Sequence, residues 1–153
     1  MDMVKDVYDV RSVLAEEGRP EPLRVAPDLS VIEFLDILRE TKDEAAVVME
    51  GERFLGIVTE NDYARKVELE AKAATRIKVA EIMTPAKKVI RVSVFKSLEE
   101  VATLMKDNHF RHVPAMEGEK FLGLISIWDV LEGIVRRQLF LAQYFFEPPG
   151  GPT

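Results

Sequence analysis

Two short stretches of the chain place a hydroxyl and a carboxylate three residues apart where a helix would begin. They are Thr59-Glu60-Asn61-Asp62 and Ser126-Ile127-Trp128-Asp129. A helix N-terminus presents unpaired N–H groups and favours an anion such as phosphate. The hydroxyl of Thr59 or Ser126 can donate to a phosphate oxygen there. A carboxylate beside a phosphate would repel it, so Asp62 or Asp129 suits the two hydroxyls of a ribose instead. The same spacing is also close to a capping box, in which each pair satisfies only its own helix end. Spacing alone leaves ligand binding and capping level.

Other chemistries find fewer supporters. His109 and His112 are the only histidines, and no third ligand accompanies them, so no metal site is expected. By the strand reading below, His112 begins a strand, where a backbone-bonded role suffices. With no cysteine in 153 residues, a thiol nucleophile, a disulfide framework and a Cys-ligated zinc are all excluded. No P-loop, Gly-rich dinucleotide fingerprint or Ser/His/Asp order is present. Glu16-Glu17, Asp43-Glu44 and Glu99-Glu100 are adjacent acids on solvated segments and make no acid/base dyad. The expectation is a protein that is not an enzyme and has no catalytic cofactor.

Composition agrees with a soluble globular chain: 47% hydrophobic, 31% charged, net charge −6. An acidic balance weighs against nucleic acid. No apolar run approaches the 18 or so residues of a membrane span, and the acidic start is no signal peptide, so a cytoplasmic location is expected. The charge is uneven. Residues 1–76 carry 11 basic and 18 acidic side chains, residues 77–153 carry 10 and 9. An anion site is therefore expected to draw its cations mainly from the second half.

The elements that position the two carboxylates come as a repeat. MEGERFLG at 49–56 returns as MEGEKFLG at 116–123, an offset of 67. Without a gap, residues 24–63 and 91–130 share 12 identities in 40 positions, and most other pairs swap like for like. Each copy reads β-α-β-β-α. A short strand (Leu23–Val25; Val89–Val92) leads to Ser30 or Ser97, each followed three residues later by Glu33 or Glu100 as a capping box. Apolar residues then recur at helical spacing. An apolar strand (Ala45–Met49; His112–Met116), a Glu-Gly-Glu turn and a second strand (Phe54–Val58; Phe121–Ile125) form a hairpin. The second helix starts after Thr59 or Ser126. Met49 and Met116 are expected in the core.

A short apolar lead precedes each copy, at Val10–Leu14 and Val79–Met83, and a charged helix-forming linker, Glu68–Thr75, joins the copies. A lone copy buries little surface, so the two are expected to pack face to face with pseudo-two-fold symmetry, an α/β (α+β) architecture. The limits are 8–70 for the first unit and 78–135 for the second. A C-terminal helix extension follows at 136–146, then a flexible tail at 147–153. Leu131, Ile134, Val135, Leu139 and Ala142 make one stripe of the last helix, with Phe140, Leu141, Tyr144 and Phe145 largely outside it. A helix with apolar groups on two faces predicts a second chain, hence a homodimer.

The duplicated unit, each copy ending in Gly-apolar-apolar-Ser/Thr-x-x-Asp, resembles the cystathionine-β-synthase (CBS) domain, here as a tandem pair. Gly56 to Asp62 and Gly123 to Asp129 carry the pattern, Arg111-His112-Val113-Pro114 matches the second strand, and Asp62 to Val67 resembles small stand-alone bacterial and archaeal members. The resemblance implies a regulatory module that binds AMP, ADP, ATP, NAD or S-adenosylmethionine and reports it to a target protein. It places Leu23 and Ala45 around an adenine in a first site, with Thr59, Asn61 and Asp62 at ribose and phosphate. Many stand-alone members carry a basic residue where Asn61 stands. A second site would use Val89 and Ile90 for the base, Arg111 and His112 near the phosphates, and Ser126 and Asp129 for the rest. Trp128 stands there where a small residue is usual, either stacking on adenine or filling the pocket. The alternative is a constitutive interaction and dimerisation module whose pockets are closed by side chains.

Overall fold

The computed structural model describes residues 9–68 and 76–146. The linker from 69 to 75 and the tail from 147 lie outside them. In chain order the elements are α1 (Val10–Leu14), β1 (Arg24–Val25), α2 (Val31–Thr41), β2 (Ala45–Glu50), β3 (Arg53–Thr59) and α3 (Glu60–Tyr63), which continues as a π turn, Ala64–Glu68. Then come α4 (Val79–Ile82), β4 (Thr84–Pro85), a 3-10 turn at Ala86–Lys88, α5 (Leu98–Asn108), β5 (His112–Glu117), β6 (Lys120–Ser126) and α6 (Ile127–Phe146). The fold is mixed α+β, with a four-stranded sheet ordered β1-β2-β3-β4 and a two-stranded β5-β6 pair.

The described chain divides into two compact bodies. One, largely helical, takes residues 9–19, 92–113 and 125–146; the other, holding the four-stranded sheet, takes 20–68, 76–91 and 114–124. Each lead joins the opposite repeat. Val10 N donates to Lys96 O at 2.9 Å and Arg11 N to Val94 O at 2.9 Å, so α1 sits at the start of α5. Val31 N donates to Ile77 O (2.9 Å) and Val79 N to Leu29 O (2.8 Å), so α4 sits at the start of α2. These bonds satisfy backbone groups that a helix entry would otherwise leave unpaired.

In the sheet body, β1 runs parallel to β2, and β3 lies antiparallel between β2 and β4. The run Ala45-Ala46-Val47-Val48-Met49 is buried throughout, as a strand covered on both faces must be. Ala46 and Val48 face a cluster with Val25, Val31, Phe34, Leu38, Val58 and Ile82. Val47 and Met49 face another with Phe54, Ile57, Met116 and Phe121. Repeat-equivalent residues meet in this second cluster: Met49 with Met116, and Phe54 stacked on Phe121 at 5.6 Å. The Arg24 guanidinium lies 5.6 Å from the Phe121 ring centre, in cation–π range.

In the helical body Val10, Leu98, Val101, Met105, Val113, Ile125 and Val130 are buried. Helix α5 packs on α6, and at Gly133 a Cβ would strike the Leu98 side chain.

Both Ser-x-x-Glu boxes open helices, α2 and α5. The box is reciprocal at Ser97–Glu100, whereas Ser30 accepts from Glu33 N without a return bond. Both Glu-Gly-Glu turns form, with Gly51 at φ 60° and Gly118 at φ 58°, a left-handed conformation that glycine adopts without strain. One expectation fails. Val89–Val92 forms no strand, only an isolated β-bridge at Val92. The 3-10 turn after Pro85 precedes it, and Arg91 reaches back to the carbonyls of Ala86 (2.8 Å) and Gly118 (3.3 Å). The segment is thus held by the Arg91 side chain and the single bridge at Val92 in place of a strand ladder.

Candidate functional site

The sheet brings three of the expected first-site residues to one end. Ala45 opens β2 and pairs in register with Thr59, which closes β3. Leu23, just before β1, accepts at its carbonyl from Val47 N at 2.9 Å. Ala45 is buried and Leu23 half-buried, leaving a small apolar rim beside the helix that Thr59 caps.

Asp62 lies in the first turn of α3. Its Oδ2 accepts from Thr59 N at 2.8 Å and from Thr59 Oγ1 at 3.2 Å, and Asp62 N donates back to Thr59 Oγ1 at 3.3 Å. The capping box is therefore formed. Its other oxygen, Oδ1, has Lys66 Nζ at 3.9 Å, beyond a good hydrogen bond. Lys66 gives its strong bond elsewhere, to Ile82 O at 2.6 Å. Burial pushes the Asp62 carboxyl above its ordinary value, against the pull of Thr59, Lys66 and Arg65. Asn61 is exposed beside it.

Ser126 and Asp129 repeat this geometry in the helical body. Asp129 Oδ2 accepts from Ser126 N at 2.8 Å and Ser126 Oγ at 3.1 Å. Here a cation intervenes. Arg19 meets the carboxylate with both arms, Nη1 to Oδ1 at 2.8 Å and Nη2 to Oδ2 at 3.0 Å, a bidentate pair. Burial raises the Asp129 carboxyl, but Arg19 and Ser126 outweigh it and hold the group below its ordinary value. Arg19 comes from the first half of the chain, 110 residues before Asp129.

The remaining second-site residues divide. Arg111 and His112 lie in the helical body with Ser126 and Asp129; Val89 and Ile90 lie in the sheet body. The Arg111 carbonyl accepts from Ile127 N at 2.8 Å, fixing the start of β5 beside the start of α6. His112 is half-buried and Arg111 exposed. Trp128 is 62% exposed, and an indole so open fills no cavity. His109 caps α5 in the left-handed conformation and is not placed as a ligand. Among the described residues no group of three or more His, Asp or Glu could hold a metal ion, and no helix is long and apolar enough to cross a membrane.

Sequence reasoning missed Arg19. The one local hint is at the fourth position after each aspartate, Lys66 after Asp62 but Gly133 after Asp129. Asp129 thus lacks a cation one turn along its own helix.

The opposite pKa directions predict opposite pH behaviour. Asp129 is held low, so its pairing stabilises the fold above about pH 3.9, the ordinary aspartate value, and is lost as pH falls through its lower folded value. Asp129→Asn should cost about 2 kcal/mol at pH 7, with the gap to the unmodified chain closing in acid. Asp62 is held high, so its ionisation opposes folding as pH rises from about 3.9 through its folded value. Asp62→Asn keeps an acceptor for Thr59 N and should be neutral or stabilising at pH 7. Urea denaturation between pH 7 and acid reads both.

Comparison with known proteins follows the repeat. The family model described as "CBS domain" matches residues 9–69 and again 79–136. A mitochondrial CBS domain-containing protein of Arabidopsis thaliana is 36% identical over 91 residues, covering 58% of this chain and 44% of that protein. The magnesium transporter MgtE of Thermus thermophilus is 33% identical over 120 residues, covering 74% of this chain and 25% of the transporter. The chain therefore spans less than half the length of either relative. Among solved structures, a CBS-domain protein from Burkholderia ambifaria matches with a TM-score of 0.74 and 34% identity, covering 85% of this chain and 96% of that one.

Proposed function

The chain belongs to the CBS-domain family, as two CBS domains in tandem, and from that premise we propose that it is a regulatory module for an adenosine-containing ligand of the AMP, ADP, ATP or NAD type. CBS domains are typically regulatory modules that bind such ligands, and relatives built from CBS domains alone regulate or signal. The observation that carries the reading here is the half-used carboxylate of Asp62. Its Oδ2 serves the helix cap while Oδ1 stands with a distant lysine, beside the rim of Leu23 and Ala45. A ribose diol fits that oxygen, a phosphate fits the Thr59 end of α3 with Asn61 alongside, and an adenine fits the apolar rim. In the second site Ser126 and Asp129 take the same parts, with Arg111 and His112 near phosphate. Signalling follows if the ligand favours one mutual orientation of the two CBS units, and it shifts that equilibrium only by its differential affinity. A target protein reads the orientation.

A second reading, a constitutive interaction module, rests on α6. Trp128, Leu131, Val135 and Leu139 are all exposed and follow one line along the helix, an apolar stripe of the kind that meets another chain. A homodimer through this stripe is part of both readings, and a homodimer whose pockets take no ligand is the whole of the second. A thermal-shift series with AMP, ADP, ATP, NAD, S-adenosylmethionine and GTP separates them. A ligand specific to the native state raises stability by about 2.7 kcal/mol at a hundredfold Kd. A shift with adenosine compounds and none with GTP supports the sensor; no shift with any compound supports the interaction module.

A further inference from the structure

The two aspartates differ in how fully their oxygens are used. A carboxylate offers about four acceptor positions. Asp62 receives two donors, both from Thr59 and both on Oδ2. Asp129 receives four: the backbone N–H and hydroxyl of Ser126, and the two arms of Arg19. A ribose diol needs two positions. Asp62 has them; Asp129 does not while Arg19 is in place.

The segment that carries Arg19 is fastened to α6 at a second point. Glu16 pairs with Arg136 at 2.9 Å, and Arg136 also bonds Glu132. Asp129 and Arg136 are seven residues apart, hence on one face of the helix, so residues 16–19 lie along its first turns. Between the two ties stands Gly18, at φ 77° with nothing within 4 Å of where a Cβ would be. Arg19 N donates to Glu16 O at 3.3 Å, closing a turn over Gly18, so the Arg19 side chain leaves Asp129 by its own rotation while Glu16 keeps its hold on Arg136.

Resting on the ligand reading above, we propose that Arg19 is a latch on the second site: a ribose diol reaches Asp129 only by displacing the Arg19 guanidinium. The two sites are then unequal by construction. The Asp62 site fills first, and filling of the Asp129 site releases the Arg19 side chain. Arg19 is a specificity-setting competitor in this account and makes no bond to the ligand.

Calorimetric titration with AMP tests this on the full chain, on Arg19→Gln, on Asp62→Ala and on the double variant Asp62→Ala/Arg19→Gln. Asp62→Ala isolates the Asp129 site. The double variant should bind AMP about tenfold or more tighter than Asp62→Ala, the two charged bonds to Arg19 no longer competing. Arg19→Gln alone should take up a second AMP per chain. Equal affinity in Asp62→Ala and the double variant overturns the latch, and weaker affinity in the double variant overturns it by making Arg19 a ligand contact. AMP bound by the unmodified chain with no gain from Arg19→Gln removes the latch alone. AMP bound by none of the four proteins removes the latch and the ligand reading together. If Arg19→Gln fails to fold, Arg19→Lys replaces it, keeping the charge but losing the bidentate fork; a gain of about threefold is then expected, and no gain counts against the latch.

Discussion

Gly56→Ala should lower stability by about 3 kcal/mol, although it adds one methyl group. Gly56 lies in β3, pairs with Pro85 of β4 and is buried. Its backbone is ordinary extended strand, so no left-handed conformation is at stake. The constraint is close approach. A Cβ at this position would collide with the Thr84 carbonyl and press on Met83 Sδ at 3.0 Å. The Thr84 oxygen belongs to backbone and cannot rotate aside, so β4 would have to leave β3. The strand β3 also carries Thr59 three residues on, so any shift of β3 in response would disturb the cap at Asp62. In a chain of this size the melting temperature should fall by roughly 6–12 °C. A melting temperature unchanged from that of the unmodified chain would mean that β4 yields at no cost.

Asp62→Ala should weaken AMP binding about a hundredfold. Two hydroxyl bonds to an ionised carboxylate together contribute about 3 kcal/mol, and every 1.4 kcal/mol is roughly tenfold in affinity. The same substitution removes the carboxylate half of the capping box, leaving the Thr59 half in place, and costs about 1 kcal/mol with no ligand present. The two effects separate in Asp62→Asn, which retains an oxygen for Thr59 N while losing the charge. It should keep the stability of the unmodified chain and still bind AMP about tenfold more weakly. Unaltered AMP affinity in Asp62→Ala, with a lowered melting temperature, would leave Asp62 as a cap alone.

Much of the fold was legible because local chemistry and burial pattern agreed. The MEGExFLG repeat announced the duplication, and Gly51 and Gly118 occupy the left-handed turns that their motif requires. The run from Ala45 to Met49, apolar at every position, announced a strand, and the structure covers it on both faces. Val89–Val92 misled because β-branched residues read as strand whether or not a ladder exists. Nothing in its composition shows that Arg91 ties it through side-chain bonds. The exchange of leads was equally hidden. Hydrophobic pattern says that Val10 and Val79 must be buried, and it is silent on which repeat buries them.

At the candidate site, sequence located both hydroxyl–carboxylate pairs but not their difference. Capping and ligand binding use the same atoms at the same spacing, and the structure makes both caps real. Asp129 differs from Asp62 through Arg19, which lies 110 residues away in sequence. A pairing of that separation leaves no trace in periodicity or motif.

The claim at the centre of this account is that the chain binds an adenosine compound through Asp62. Calorimetric titration of the unmodified chain with AMP, beside a matched titration with GTP, tests it most directly. Saturable binding of AMP at about one per chain, with no binding of GTP, is the expected result. No binding of AMP at millimolar concentration would contradict it.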